Sequence, residues 1–450
     1  PQDHLIRVTD AKGNVTEYTT DDIGRVVKVV SPDTHTTLYE YDEAGNLNSK
    51  TDAKGITTTY LYDTLNRLTH IVYPNPAENV TLNYDAGTNG KGRVTTMTDP
   101  SGSTDFLYNP AGQVIRETRI MEGVTYITEY TYDDAGNLQT IIHPSGRVVI
   151  YQRDNAGQIT GTTVDGQSIT GQVAYLPFGP TTGMTLGAGI LEINRAYDER
   201  YQLTQNTAGS ITDYHYTRDP VGNIVSITGV GEPNATGGRT TYNHQGNRLI
   251  EASGQEAAQY TYDDNGNVIS DGVRTFVYNR NNRLIRVEQG GNVLGEYAYD
   301  GLERRVKKTV FGTTTHYHYD LMGNLIAETS WDGTPFRDVF YQNGERMAME
   351  IYGARAGTYY FLNDHLGTPH TLIDESAQVV WQAAYLQFGK AQIMTETIEN
   401  HFRFPGQYYD FETGLHYNWH RYYDPNLGRY LRADPIGLEG EINLFQYVQN

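Results

Sequence analysis

Polar and apolar residues alternate along this chain in short stretches that end at a tyrosine. Residues 56–62 read Ile-Thr-Thr-Thr-Tyr-Leu-Tyr, so that Tyr60 and Tyr62 lie two positions apart. Side chains two apart share one face of a β-strand, and threonine and tyrosine both favour strands. Asp63 follows, and Leu68 resumes the apolar pattern. The pattern predicts a strand, a turn that an aspartate opens, and a second strand.

This unit recurs along the chain as a Tyr-Asp dipeptide followed by Gly-Asn or a related pair. The spacing from Tyr41 to Tyr62 is 21 residues, which accommodates two strands and two turns but is too short for a βαβ unit. The clear copies begin at Tyr41, Tyr62, Tyr132, Tyr262 and Tyr319; degenerate copies are Tyr108 with Gly112, Tyr216 with Gly222-Asn223, Tyr242-Asn243 with Gly246-Asn247, Tyr278 with Asn282, and Tyr299-Asp300 with Arg304.

Each repeat residue has a structural explanation. An aspartate carboxylate accepts hydrogen bonds from turn N–H groups, and Gly or Asn supplies the positive φ that such a turn needs. The tyrosine ring packs between strands while its hydroxyl finds a polar partner. Because one hairpin is marginally stable in water, neighbouring copies must stack to bury a continuous face. The tyrosines follow the repeat and do not cluster, which argues against a carbohydrate-binding platform.

Composition agrees with a thin sheet that has much surface and little interior. The chain has 37 Tyr but only 12 Phe and 3 Trp, and its formal net charge is -20. Such a charge opposes binding of nucleic acid or of anionic membranes by this chain. With no cysteine, disulfides, zinc-thiolate sites and a cysteine nucleophile are excluded. No apolar run is long enough for a transmembrane segment, and we expect both ends to continue into a longer polypeptide.

The last 120 residues carry the most specific motifs. Together with the repeats, they resemble the Rhs (rearrangement hotspot) or YD-repeat family, which includes bacterial polymorphic toxins, the C component of Tc toxins and the teneurins. The motifs of this Rhs core-associated segment lie at residues 363–369, 379–381, 384–389, 403–410, 412–418, 421–430, 434–438 and 443–447.

The resemblance implies an all-β fold in which tandem Tyr-Asp hairpins form a spiral ribbon that encloses a hollow cocoon. It divides the chain into a YD-repeat shell over residues 1–330 and the core-associated segment, a plug and autoproteolysis region, over residues 331–450. It implies two kinds of partner, an encapsulated C-terminal toxin domain and the proteins of a delivery machinery such as type VI secretion. The protein is accordingly expected to be secreted or delivered to target cells.

The resemblance also implies an aspartate-dependent self-cleavage in which Asp434, of Asp-Pro-Ile-Gly-Leu, is one catalytic carboxylate and Arg421 the basic residue beside it. Two residue-level alternatives stay open. Asp434 could cap an Asp-Pro turn, and Arg421 could form a structural ion pair with Asp424 or Asp410. The second aspartate and the scissile bond of the family would follow Gln449-Asn450, so the chain as given is expected to be catalytically incomplete. Glu441 also departs from the usual family Gly.

No residue pattern indicates a cofactor or a metal ion. His416 and His420 lie four apart on what we expect to be one strand, which does not form a helical ligand pair, and no metalloprotease motif accompanies them. These two and His365 are interpreted as structural. The one segment with a helical composition is around residues 392–400.

Three functions follow from these patterns. The first is an encapsulating shell that contains and delivers a C-terminal toxin and cleaves itself in the full-length parent. The second is an extracellular adhesion or glycan-binding YD-repeat array, which would need an exposed aromatic face. The third, a stand-alone hydrolase, is disfavoured because no Ser-His-Asp set, phosphate loop or metal cluster is present. The core-associated segment favours the first.

Overall fold

The computed structural model describes residues 4–229, 240–254, 256–440 and 442–447. Strands make up 56% and helices 2%, which confirms the predicted all-β class. Strands that follow each other in the chain pair side by side in antiparallel fashion, as the first few do. The ribbon of hairpins that the repeat predicts is therefore the basic element of the fold.

The first sheet contains 21 strands in chain order. They are β1 (Arg7–Thr9), β2 (Val15–Thr20), β3 (Val26–Ser31), β4 (His35–Tyr41), β5 (Leu47–Thr51), β6 (Thr57–Tyr62), β7 (Leu68–Val72), β8 (Val80–Tyr84), β9 (Val94–Asp99), β10 (Gly102–Tyr108), β11 (Val114–Met121), β12 (Val124–Tyr132), β13 (Leu138–Ile142), β14 (Val148–Arg153), β15 (Ile159–Val164), β16 (Gln167–Tyr175), β17 (Thr181–Leu186), β18 (Leu191–Tyr197), β19 (Leu203–Ala208), β20 (Thr212–Arg218) and β21 (Ile224–Thr228).

Three further sheets follow within the described residues. They contain β22 (Thr240–Gln245), β23 (Arg248–Gly254) and β24 (Ala258–Gln259); then β25 (Thr261–Tyr262), β26 (Val268–Ser270), β27 (Arg274–Tyr278), β28 (Leu284–Gln289), β29 (Asn292–Tyr299), β30 (Arg305–Val310), β31 (Thr313–Tyr319), β32 (Leu325–Ser330), β33 (Pro335–Gln342), β34 (Glu345–Ile351), β35 (Gly357–Asn363), β36 (Pro369–Ile373), β37 (Val379–Tyr385) and β38 (Ala391–Glu396); and last β39 (Tyr408–Asp410), β40 (Leu415–Asn418), β41 (Arg421–Asp424) and β42 (Arg429–Tyr430). Single-turn 3-10 helices lie at Pro76–Glu78, Gly353–Arg355 and Gly437–Glu439.

The Asp42 turn between β4 and β5 demonstrates the repeat chemistry. The Asp42 Oδ1 atom accepts a hydrogen bond of 2.8 Å from the Asn46 backbone N–H, and Oδ2 accepts one of 2.9 Å from Asn46 Nδ2. Gly45 donates its N–H to the Asp42 carbonyl at 3.0 Å and has a φ of 90°, a conformation that glycine adopts without strain. The predicted turn-capping role of the repeat aspartate is confirmed here.

The repeat tyrosine closes the same edge of the sheet. Tyr41, the last residue of β4, donates its hydroxyl to the carbonyl of Val26, the first residue of β3, at 3.0 Å. Because Val26 follows the preceding Asp21 turn, the bond ties one turn to the next. Eight tyrosines make this bond at 2.6 to 3.1 Å: Tyr41, Tyr62, Tyr84, Tyr132, Tyr175, Tyr197, Tyr299 and Tyr385. Two more make a close variant of it: Tyr262 binds the carbonyl of Leu249, the second residue of β23, at 2.8 Å, and Tyr341, the penultimate residue of β33, binds that of Leu325 at 3.2 Å.

Two repeats use arginine where the others use tyrosine. Arg218 ends β20 and donates to the carbonyl of Leu203, the first residue of β19, at 3.2 Å. Arg153 makes the equivalent bond to Leu138 at 3.2 Å. The degenerate copy assigned to Tyr216 was therefore placed wrongly: Arg218 is at the tyrosine position, and Asp219 caps the turn through the N–H of Asn223 at 2.8 Å.

The copy assigned to Tyr242-Asn243 also differs from its prediction. β22 and β23 are joined at Gly246 and Asn247, and the carboxylate that binds Asn247 comes from Asp33. The two Asp33 oxygens each accept a bond of 2.9 Å, one from the Asn247 N–H and one from its Nδ2. An aspartate 214 residues away in the chain replaces the one that this repeat lacks.

Contacts divide the molecule into two compact units. Unit 1 comprises the described residues of 1–104, 236–314 and 409–450, and unit 2 those of 105–235 and 315–408. Each unit combines residues from before and after position 330, and β32 pairs with β33 across that position. The proposed boundary at 330, which concerns where the sequence resemblance changes, stays a prediction.

Within unit 1, turns far apart in sequence bind each other. Besides the Asp33–Asn247 contact, the Ala53 N–H donates to Asn265 Oδ1 at 3.0 Å, and the Gly301 N–H donates to Asp99 Oδ2 at 3.0 Å. These partners are 212 and 202 residues apart. The ribbon thus returns alongside itself after 202 to 214 residues. The turns at one edge of the later strands bind the turns at the other edge of the earlier strands.

Unit 2 has an apolar core built from both of its chain segments. The core packs strands of residues 130–208 against strands of residues 340–373, with Leu186, Ala348 and Ile373 fully buried. Buried polar pairs lie beside it, including His143 Nδ1 with Asp338 Oδ1 at 2.8 Å. Burial of this apolar face supplies the main stabilisation that a single hairpin lacks.

The segment with a helical composition, residues 392–400, does not form a helix. Residues Ala391–Glu396 form strand β38, which pairs with β37 in a register that places Ala384 opposite Gln392. The adjacent strand offers backbone partners that outweigh a weak helical propensity. Among the described residues, no helix is long and apolar enough to cross a membrane.

We predict that Tyr299→Phe lowers the free energy of unfolding by about 1–2 kcal/mol, because the buried Leu284 carbonyl loses its 2.6 Å hydroxyl donor. The control is Tyr242→Phe, since the Tyr242 side chain is 42% exposed; it should change stability by less than about 0.5 kcal/mol. Urea denaturation of both variants measures the difference. Equal losses of unfolding free energy in the two variants would contradict a stabilising role for the bond from the tyrosine hydroxyl to the carbonyl.

A second prediction concerns pH. Burial, and after it the charge of His316, lowers the pKa of His318 from 6.5 to about 3, so the folded state keeps this imidazole neutral while the unfolded state takes up a proton. The stability that His318 contributes is complete above pH 6.5 and is lost as the pH falls from 6.5 towards 3. We expect a loss of about 3 kcal/mol between pH 7 and pH 4 from this group.

The variant His318→Gln removes this titration and retains a polar group that can reach Thr329 Oγ1, the present partner of His318 Nε2 at 3.0 Å. The free energy of unfolding is measured at pH 7 and at pH 4 for both proteins. The loss between the two pH values should be smaller in the variant than in the wild type by about 3 kcal/mol. An unchanged difference between the two pH values would exclude His318 as the source.

Candidate functional site

The Arg421 and Asp434 side chains predicted for self-cleavage lie together at the end of the described chain. Arg421 begins β41, whose partner β40 places His416 opposite Tyr423. Asp434 follows β42 and donates its backbone N–H to the Leu444 carbonyl at 2.8 Å. The hairpin and the succeeding turn thus bring two side chains thirteen positions apart in the sequence to one place in unit 1.

The Asp434 carboxylate has two partners. Its Oδ2 atom lies 2.7 Å from an Arg421 guanidinium nitrogen, and both side chains are 14% exposed. Its Oδ1 atom accepts the Ile436 N–H at 3.1 Å, while the Asp434 carbonyl accepts the Gly437 N–H at 3.0 Å. Asp434 therefore caps the Asp-Pro turn and also faces the arginine, and its catalytic role stays a prediction.

The ion pair of Arg421 is made with Asp434, whereas the two alternative aspartates have other partners. Asp410 binds Lys308 at 2.9 Å and also Arg305. Asp424 Oδ1 accepts the Asn426 N–H at 2.9 Å, so it caps its own Asp-Pro turn.

The Arg421 guanidinium is held by packing as well as by charge. It stacks 3.6 Å from the centre of the Tyr430 ring, and it donates to the Leu444 carbonyl at 3.3 Å. Asn418 Nδ2 in turn donates to the Tyr430 hydroxyl at 2.7 Å. Burial lowers the pKa of Arg421, and the nearby Tyr430 and Asp434 oppose that shift. A stacked, hydrogen-bonded guanidinium is pre-organised to stabilise negative charge.

Two further arginines, Arg283 and Arg432, lie near His420, the residue before Arg421. Burial, and next the charge of Arg283, lowers the pKa of Arg432 to about 9. Burial, and next the charges of Arg283 and Arg432, lowers the pKa of His420 to about 4. His420 Nδ1 accepts a 2.6 Å hydrogen bond from Arg283. His420 is therefore a neutral imidazole at pH 7, among three arginines and with the Glu303 carboxylate 3.3 Å from its Nδ1.

A small cavity of about 10 Å³ adjoins Arg421, which is near the minimum size for one water molecule. Its walls are Tyr278, Leu284, Tyr299, His420, Arg421, Tyr422, Leu431 and Arg432. Sequence reasoning assigned no role to Arg432 or to this cavity. The sequence signal available was the position of Arg432 two residues before Asp434, in the same motif.

The turn after Asp434 is tightly packed. A Cβ atom added to Gly440 would lie 3.2 Å from Asp434 Oδ2 and 3.1 Å from Ile436 Cδ1, so a larger side chain there would crowd the carboxylate. The neighbouring Glu441, and also Gln449 and Asn450 of the predicted cleavage region, lie outside the described residues.

Each of the three histidines has its own neighbours. His416 is buried in β40 between the rings of Tyr409 and Tyr423, at 5.8 and 6.0 Å. His420 lies in the turn after β40, not on the same strand as we had expected. His365 packs against Tyr216 at 4.9 Å. No group of three or more His, Asp or Glu side chains among the residues that the structure describes could hold a metal ion.

The chain is similar to known proteins over most of its length. The model of the "Teneurin YD-shell" family matches residues 4–173 and 183–444. The "tRNA3(Ser)-specific nuclease WapA" of Bacillus spizizenii is 27% identical over 353 residues, which cover 76% of this chain and 15% of that protein. The "Probable deoxyribonuclease RhsA" of Dickeya dadantii is 27% identical over 366 residues, 71% of this chain and 25% of that protein.

The fold also matches solved structures. A structure of the Photorhabdus luminescens Tc holotoxin pore has a TM-score of 0.77 at 18% identity, over 98% of this chain and 29% of that chain. The chain thus spans a quarter or less of the two relatives and under a third of the structural neighbour. The resemblance to Rhs, YD-repeat and Tc toxin proteins is confirmed, and the chain belongs to the teneurin YD-shell family.

Proposed function

We propose that this chain is part of the wall of a hollow shell, which contains a C-terminal toxin domain of the same polypeptide until delivery. The observation that carries the proposal is the return of the ribbon in unit 1, where Asp turns bind the opposite edge of chain that lies 202 to 214 residues earlier. A ribbon that binds itself at a regular interval is suited to build a continuous wall.

The relatives support a carrier role. The two named above share this segment, yet one is named as a tRNA nuclease and the other as a probable deoxyribonuclease. A segment common to proteins with different named activities is expected to supply what they share, which is containment and delivery. A bacterial secretion system, its proteins as partners, and release to target cells belong to the same proposal.

The repeat tyrosines favour a shell over the adhesion or glycan-binding array. Ten tyrosine hydroxyls are bound to backbone carbonyls, nine of them within the same sheet as the tyrosine. A glycan platform requires aromatic faces and polar groups that are free to meet a ligand. These side chains instead stabilise the wall.

Self-cleavage in the full-length parent is the second part of the proposal. Asp434 and Arg421 form a charge-assisted pair beside two more arginines. In the longer protein, a second carboxyl group from the downstream segment would enter this basic environment. Because two adjacent carboxylates resist ionising together, one would remain protonated as the acid and the other would act as the base on water or the peptide. Arg421 would stabilise the negative charge that develops.

We expect Asp434→Asn in the full-length protein to slow self-cleavage by at least about 100-fold, a typical contribution of a positioned acid or base. The matched control is Asp424→Asn, the same substitution at the other Asp-Pro turn, which should leave the cleavage rate within a few-fold of wild type. Gel electrophoresis of the freshly purified proteins measures the fraction cleaved. Wild-type cleavage in Asp434→Asn would overturn the assignment.

A further inference from the structure

Lys308, Asp410 and Glu412 form a compact cluster in unit 1, away from Asp434. Lys308 belongs to β30, whereas Asp410 ends β39 and Glu412 follows it, so the cluster joins chain segments 102 residues apart. Lys308 Nζ lies 2.9 Å from Asp410 Oδ1 and 3.3 Å from Glu412 Oε2. One amine thus contacts two carboxyl groups.

Solvent has almost no access to these three groups. The side chains of Asp410 and Glu412 are 0% exposed and that of Lys308 is 7% exposed. Aromatic rings surround them: the Tyr297 hydroxyl donates to Glu412 Oε1 at 3.0 Å, and Lys308 Nζ lies 5.4 Å from the centre of the Phe411 ring. A dry environment favours the neutral forms of an amine and an acid over the ion pair.

The two carboxyl groups differ in their electrostatic setting. Burial, and after it the charge of Asp410, raises the pKa of Glu412. For Asp410, burial alone would raise the pKa, but the cations of Arg305 and Lys308 lower it. Glu412 is therefore the group that can exchange a proton with Lys308, while Asp410 is held in a fixed position.

Arg305 completes the arrangement. It is fully buried and binds Asp410 Oδ2, whereas Lys308 lies next to the other oxygen, Oδ1. A guanidinium at Oδ2 polarises the carboxyl carbon and stabilises the oxyanion that forms when a nucleophile adds to that carbon. The remaining oxygen, Oδ1, lies next to the amine and is the one that can leave.

We propose that Lys308 and Asp410 condense to an intramolecular isopeptide bond that fastens the C-terminal segment to β30. The Lys308 nitrogen attacks the Asp410 carboxyl carbon, and Glu412 carries protons from the nitrogen to Oδ1. The C–Oδ1 bond breaks and one water molecule leaves, so an ammonium and a carboxylate become an amide and water. No oxidant, reductant or co-reactant is needed.

The proposal is tested by the intact mass of the purified full-length chain under denaturing conditions. The expected mass is lower than the sequence mass by about 18 Da, the mass of one water. Tryptic digestion should also yield a branched peptide that joins the segment of Lys308 to the segment of Asp410. An intact mass equal to the sequence mass means that the cluster is an ion-pair network only, and it overturns the proposal.

Three variants locate the bond. Lys308→Arg retains the positive charge but cannot condense in this way, and Glu412→Gln removes the proton carrier; both should restore the full sequence mass. Lys307→Arg alters the adjacent lysine and should keep the deficit. A deficit that persists in Lys308→Arg would also overturn the proposal, and because the wild-type mass is decisive alone, the test does not depend on whether a variant folds.

Discussion

One recurring hydrogen bond holds this fold together. Its donor is the last side chain of a strand, and its acceptor is the first carbonyl of the strand before it. It joins each Asp turn to the preceding one along the edge of the sheet, and it recurs with a tyrosine donor at positions as distant as Tyr41 and Tyr385. A hairpin ribbon has few long-range contacts of its own. The bond fixes the spacing of consecutive turns, and this spacing decides which turns meet when the ribbon returns alongside itself.

The local part of this structure could be predicted from sequence because its chemistry is local. The Asp42 turn follows from an aspartate, a glycine and an asparagine within five residues, and strand alternation gives the common face of the tyrosines. The sequence pattern did not identify positions where a different or a distant residue makes the same hydrogen bond. Arg218 replaces a tyrosine because a guanidinium also donates a hydrogen bond, and Asp33 replaces an aspartate from 214 residues away.

The candidate site could be predicted only because the sequence resembles that of a known family. The motif identified Asp434 and Arg421, but local reasoning left three carboxylates as possible partners for the arginine. Which carboxylate pairs with Arg421 depends on how the hairpin of β40 and β41 packs against the turn after β42. A short stretch of sequence does not determine this tertiary contact. Arg432 was missed for the same reason, since its effect on the site arises from burial beside Arg283 and Arg421.

Buried ion pairs fix the C-terminal segment. Repeat aspartates such as Asp42 and Asp63 are partly exposed and satisfied by turn N–H groups, and Asp300 is buried against Arg304. In the C-terminal segment, Asp410 and Asp434 meet cations in fully or largely desolvated places. Breaking one partner of such a pair leaves an uncompensated charge, which typically costs several kcal/mol. Residues 409–447 are thereby fixed in one position within unit 1, as the proposed self-cleavage would require.

The central claim is that the ribbon forms the wall of a closed container. Cryo-electron microscopy of the full-length parent protein tests it most directly. We expect a continuous β-wall around an internal cavity, with additional density inside for the C-terminal domain. An open ribbon or a solid rod, with the C-terminal domain exposed outside, would contradict it.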